Sequence, residues 1–196
     1  MPAHAYITNI ARYLPNDPVA NDRMEDFLGR INGRPSHARN IVLKNNGITS
    51  RHYALDKEGR LTHSNAELAA CAIRSLFTPS FGLRDMELLC CGTSIPDQLL
   101  PSHAAMVQGT LGCLPIEIIS TAGVCCSGMQ ALKYGLLSLL SGNSSNAVCA
   151  ASELVSPLLL DRNFETEIAH QSRLEARPIL ARFLQENGAG NILSTP

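Results

Sequence analysis

"GVCCSGMQAL", residues 123–132, decides the reading of this chain. Two adjacent cysteines stand where a β-branched run ends, and a small residue, a glycine and an apolar helical pattern follow them. Upstream, "IEIISTAGV" (116–124) reads as a strand, and downstream "CSGMQALKYGLLSLLSGN" (126–143) reads as a long helix closed by Gly142 and Asn143. That helix has almost no polar face, which predicts burial at the centre of a larger body. In open α/β folds, sites lie beyond the carboxyl ends of strands. A helix start also presents unpaired N–H groups and a partial positive charge, both of which favour an anion. The two thiols cannot face the same way, and the helix terminus favours Cys126 over Cys125. The alternative is packing, because cysteine is among the most buried residue types. Cys71, Cys90, Cys91, Cys113 and Cys149 lie on apolar runs and take that reading.

The flanking sequence repeats the alternation. "MELLCCGTS" (86–94) suits a buried strand, and "NAVCAASEL" (146–154) suits another. "SNAELAACAIRSLF" (64–77) is a helix opened by the capping box Ser64 and Glu67. "PSHAAMVQGTLG" (101–112) is a helix between a Ser N-cap and Gly112. Nearer the start, residues 5–14 read as a first strand. Residues 21–31 read as a helix, with Met24, Phe27, Leu28 and Ile31 at helical spacing, and Asn45 to Gly47 as a turn. The whole predicts an α/β fold, a layered sheet with helices on both faces. Residues 1–156 carry the core pattern. Residues 157–196 are polar, a stretch leading back toward the core, with no second core of their own.

Composition narrows the function classes. The chain has 196 residues, 45% of them hydrophobic, a net charge of -1, 5% aromatics and no Trp. A near-neutral, Trp-free chain offers neither a basic footprint nor stacking platforms, so no nucleic-acid partner is expected. No apolar run is long enough to span a membrane. Seven cysteines at these spacings suit no disulfide framework or zinc site, and the N-terminus lacks a signal-peptide pattern. A cytoplasmic protein with reduced thiols is expected, with no metal or cofactor.

Read together, "TSIPDQLLPSHAAMVQGTLG" (93–112) and "AGVCCSGMQALKYG" (122–135) resemble β-ketoacyl-acyl-carrier-protein synthase III, a condensing enzyme of the thiolase superfamily. The shared pattern is Thr93-Ser94, Pro101-Ser102, Gln108, Leu111-Gly112, a strand, and Cys-small-Gly opening a helix. "ITNIARYLP", "NNGITSRHYA" (45–54) and "SELVS" (152–156) are similar to further segments of that family, and "NGAGN" (187–191) is faintly so. The resemblance covers about residues 5–156 and implies the N-terminal half of a thiolase-like layered fold, with a mixed sheet covered by helices and a buried central helix starting at the nucleophile.

On that resemblance Cys126 is the nucleophile. It would take an acyl group from a thioester, its own N–H helping to hold the oxyanion, and would pass it to a carbanion formed by decarboxylating a malonyl-type or β-ketoacyl carrier-protein thioester. The implied partners are an acyl carrier protein, an acyl thioester and a second copy in a homodimer. Two departures stand out. The family's His and Asn belong to a second half, and none of His4, His37, His52, His63, His103 or His170 sits in a matching motif. His52 reads as structural, and His103 and His170 as surface residues. Asn45 stands where many members carry an Arg for coenzyme A, which favours carrier-bound donors. Asn187 replaces an Asp of the family's pattern. The segment 37–54 is also similar to ketosynthases of the dialkylresorcinol branch. Two rival readings remain: a catalytically incomplete half-fold that binds a carrier protein or another ketosynthase chain, and a redox protein using Cys125–Cys126 as a vicinal dithiol, a strained pairing.

Overall fold

The computed structural model describes residues 4–36 and 39–164. In chain order its elements are β1 (Val19–Ala20), α1 (Glu25–Leu28), α2 (Arg39–Asn46), β2 (Ser50–Arg51), α3 (Asn65–Arg74), β3 (Leu88–Gly92), α4 (His103–Leu111), β4 (Glu117–Thr121), α5 (Ser127–Ser141) and β5 (Ala147–Ala151). Among the described residues they form two compact units, one from 4–16 with Leu61–Val155, the other from Asp17–Arg60 with 156–164. The expected block 1–156 is shared between the two. His37, His170, the polar stretch beyond 164, Asn187 and "NGAGN" lie outside the described residues.

In the first unit β3 is the middle strand of a parallel sheet ordered β4-β3-β5. The sheet is purely parallel here, not mixed, because each connection carries a helix across a face. Leu88, Leu89, Cys90 and Cys91 are all buried, as a central strand covered on both faces requires. On one face, Leu89 and Cys91 pack with Ala66, Ala69, Ala70 and Ile73 of α3 and with Ala104, Val107 and Leu111 of α4. On the other, Leu88 and Cys90 pack with Ala131 of α5. The capping box forms as read: the Ser64 hydroxyl accepts from the Glu67 N–H, and the Glu67 carboxylate accepts from the Ser64 N–H. Ser102 caps α4, which ends at a left-handed Gly112.

α5 begins where expected, but its burial departs from the expectation. Only Ser127, Ala131, Gly135 and Ser138 are buried, the stripe that touches the sheet. Met129, Leu132, Leu136 and Leu137 on the rest of its surface are exposed. The helix is apolar all round, yet the described residues cover one side of it.

Three further expectations are corrected. Residues 5–14 form no strand, since no described strand pairs with them; Tyr6, Ile7 and Ile10 stay exposed. The helix expected over 21–31 breaks into a 3-10 turn (Asn21–Arg23), the single turn of α1, and a second 3-10 turn after Gly29. Gly29 lies in the left-handed region, with a φ of 80°, and ends α1 there. The third is α2, a helix over Arg39–Asn46 where the sequence signals only a turn at Asn45 to Gly47. Its first residue, Arg39, pairs with Glu25 at 3.0 Å. The second unit has its own small core of Val19, Tyr53, Leu55 and Leu160, flanked by Phe27 and Leu28.

Candidate active site

Cys126 stands at the carboxyl end of the sheet, as the N-cap residue of α5. Both Cys125 and Cys126 are exposed free thiols, so the packing reading fails for this pair. It holds for Cys90 and Cys91, where burial pushes the Cys91 thiol up to about 12. No side chain caps α5, so its first-turn N–H groups stay available at the cysteine. The Gln130 carboxamide, one turn along, donates to the Cys126 sulfur at 3.4 Å.

Close packing brings the helix start to the strand ends. A Cβ on Gly92, the last residue of β3, would lie 2.5 Å from the Ser127 carbonyl carbon and oxygen, so only glycine fits there. The Thr121 hydroxyl, at the end of β4, donates to the Ser127 carbonyl at 2.7 Å. The turn into the helix is tight: Gly123 has a φ of 144° and Cys125 a φ of 65°.

Around the same ends runs a polar network that the sequence did not announce. Asn65, fully buried at the start of α3, donates to the Thr93 hydroxyl at 2.9 Å and to the Ile95 carbonyl at 2.8 Å. Asp97 accepts from the Asn65 and Ala66 N–H groups at 2.7 and 2.9 Å. Glu153, just past β5, accepts from the Ser94 N–H at 2.6 Å. His103 corrects the surface reading: it is buried in the first turn of α4, its Nε2 3.1 Å from the Ser152 hydroxyl. Burial holds its pKa below the ordinary histidine value, against the pull of Asp97 and Glu153. Asn65 Oδ1 and His103 Nδ1 have no hydrogen-bond partner. The one signal available in sequence was position, each residue falling at a strand end or a helix start.

His103 is engaged with Ser152, and His63 lies 2.9 Å from the Tyr13 hydroxyl. Among the described residues, no His or Asn side chain hydrogen-bonds the Cys126 sulfur.

No family model matches the chain. It is 26% identical over 157 residues to the β-ketoacyl-[acyl-carrier-protein] synthase III of Clostridium perfringens, covering 80% of this chain and 44% of that protein. The chain is similar to β-ketoacyl-acyl-carrier-protein synthase III. It spans under half the length of the curated synthase III relatives it matches. Among solved structures, the tetronic acid condensing enzyme AbyA1 superposes with a TM-score of 0.62 at 27% identity, over 74% of this chain and 43% of that one. The synthase III of Thermus thermophilus superposes at 0.61 and 21% identity, over 78% and 44%. The fold is thus part of a thiolase-like fold, and the synthase III resemblance read from the motifs stands. No helix of the described residues is long and apolar enough to cross a membrane.

Proposed function

We propose that this chain carries the acyl-accepting half of a β-ketoacyl-synthase reaction, with Cys126 as the nucleophile. The observation that carries the reading is Cys126 itself: an exposed thiol at an uncapped helix start, at the carboxyl end of a parallel sheet, in a chain similar to condensing enzymes. The Cys126 sulfur attacks the carbonyl carbon of an acyl thioester. The new C–S bond forms first, the carbonyl electrons moving to the oxygen; the donor's C–S bond then breaks, and the departing thiol leaves with the cysteine proton. The oxyanion between these events lies against the free first-turn N–H groups. Asn45 in place of a coenzyme A-binding Arg favours a donor carried on an acyl carrier protein.

Condensation is the second half. A malonyl-type or β-ketoacyl thioester on the carrier loses carbon dioxide, and its carbanion takes the acyl group from Cys126. That step needs His and Asn groups, and the described residues supply neither at the sulfur. On this reading those groups come from the second half of the family's fold or from a second chain of a dimer. The exposed stripe of α5 favours a second reading, a half-fold whose open apolar face takes another ketosynthase chain.

Intact-mass spectrometry after incubation with acyl thioesters separates the two. An acyl adduct on wild type and Cys125→Ala, absent from Cys126→Ala, is the expected result. No adduct, or one lost only in Cys125→Ala, removes the nucleophile and leaves the partner reading in front.

A further inference from the structure

The turn that presents Cys126 is costly to hold. Cys125 occupies the left-handed region and Gly123 sits at a φ of 144°. A non-glycine residue held there costs on the order of 1 kcal/mol or more and persists only when its surroundings over-determine it. Something outside the turn must therefore fix it.

One path of hydrogen bonds does so. Glu153, beyond β5, accepts from the Ser94 N–H at 2.6 Å and from the Thr93 hydroxyl at 3.4 Å. The Thr93 oxygen in turn accepts from the buried Asn65 carboxamide. The Ser94 hydroxyl then donates to the Gly123 carbonyl at 3.2 Å. Gly123 lies beside the sulfur, since a Cβ there would lie 3.0 Å from Cys126 Sγ. A carboxylate on one strand end thus reaches, through the loop after β3, the turn after β4.

We propose that Glu153, acting through Ser94, is the positioning residue of the Cys126 turn. The carboxylate orients the Ser94 backbone, and the Ser94 hydroxyl pins the Gly123 carbonyl so that the sulfur keeps one direction. The role in acyl transfer rests on Cys126 being the acyl acceptor, whereas the alkylation arm of the test does not.

The test compares wild type, Ser94→Ala, Ser94→Thr, Glu153→Ala and the double variant Ser94→Ala/Glu153→Ala in the full chain. Iodoacetamide alkylation is mapped separately at Cys126 and Cys125, and acylation by a thioester is followed by intact mass. Loss of the link should slow both reactions at Cys126 by about tenfold in Ser94→Ala and in Glu153→Ala, which removes the acceptor of the Ser94 N–H, since small misplacements of reacting groups carry large rate costs. Ser94→Thr, which keeps the hydroxyl, should retain the rate. The double variant should be no slower than Glu153→Ala alone, because both residues act on one path. A merely structural role would loosen the turn and speed alkylation of both thiols together, which overturns the proposal. So do wild-type rates at Cys126 in both single variants. Slowed alkylation with no acyl adduct even on wild type keeps the positioning role and removes the acyl-transfer reading.

Discussion

The two ends of the three-stranded sheet are built differently. At the amino end the polar contacts are mostly exposed clasps, apart from one buried pair, the Ser138 and Ser144 hydroxyls 3.1 Å apart. Glu117 accepts from the Tyr134 hydroxyl at 2.8 Å and from the Asn143 carboxamide at 2.9 Å, and Glu87 accepts from the Ser145 N–H at 2.7 Å. Water can replace any of them. At the carboxyl end the polar groups are interior, Asn65, Thr93 and His103 all buried, with two of their atoms unpaired. One end is closed by contacts that cost little to lose. The other keeps buried polarity around an exposed thiol, which is how a site differs from a seam.

The contrast is broken most severely at Gly92. Gly92→Ala drives a Cβ into the Ser127 backbone and should destabilise the unit by about 3 kcal/mol, as overpacking into backbone does. Urea denaturation measures it. A change near zero would mean that the helix start is not fixed to the strand ends.

A smaller effect follows from His103. Its pKa in the fold lies below the value of the unfolded chain, so the unfolded state takes up the proton first. The stability held by neutral His103 is complete above about pH 6.5, the ordinary histidine value, and is lost as pH falls through the lower folded value. Melting temperature against pH should therefore fall below about pH 6.5. His103→Gln should flatten that limb, and an unchanged slope would show that His103 is not held neutral.

The smallest effect belongs to the amino end. Glu117→Gln should change stability by no more than about 0.5 kcal/mol, as exposed substitutions do. The hydrogen bond to Glu117 raises the Tyr134 pKa above the ordinary tyrosine value, and the substitution should bring it back down. Ultraviolet titration of the tyrosines reads that shift. A large stability loss would erase the distinction between the two ends.

What the sequence made legible was local. Ser64 with Glu67, Ser102 with Gly112, and the buried run of β3 all rest on contacts within a few residues, and each formed as read. The place of Cys126 at a helix start was legible for the same reason, a strand–helix junction being a local pattern. Residues 5–14 have strand composition, but a strand needs a partner, and pattern alone supplies none. α2 hides its helix behind Ile41, Val42 and Leu43, and draws on the pairing of Arg39 with Glu25, fourteen positions away. Nothing near His103 shows that a residue beside a cap faces inward. The bond from Ser94 to Glu153 joins residues 59 apart, a pairing that only the folded sheet brings about.

The strand order has a consequence for how such a chain is made. β3 leaves the ribosome before β4 and β5, and it is the strand to which both of the others pair. The sheet can therefore grow outward from its middle as synthesis proceeds, each new strand meeting a partner already in place. No strand has to wait for a later one to be threaded between it and its neighbour, and the centre of the sheet is the oldest part of it.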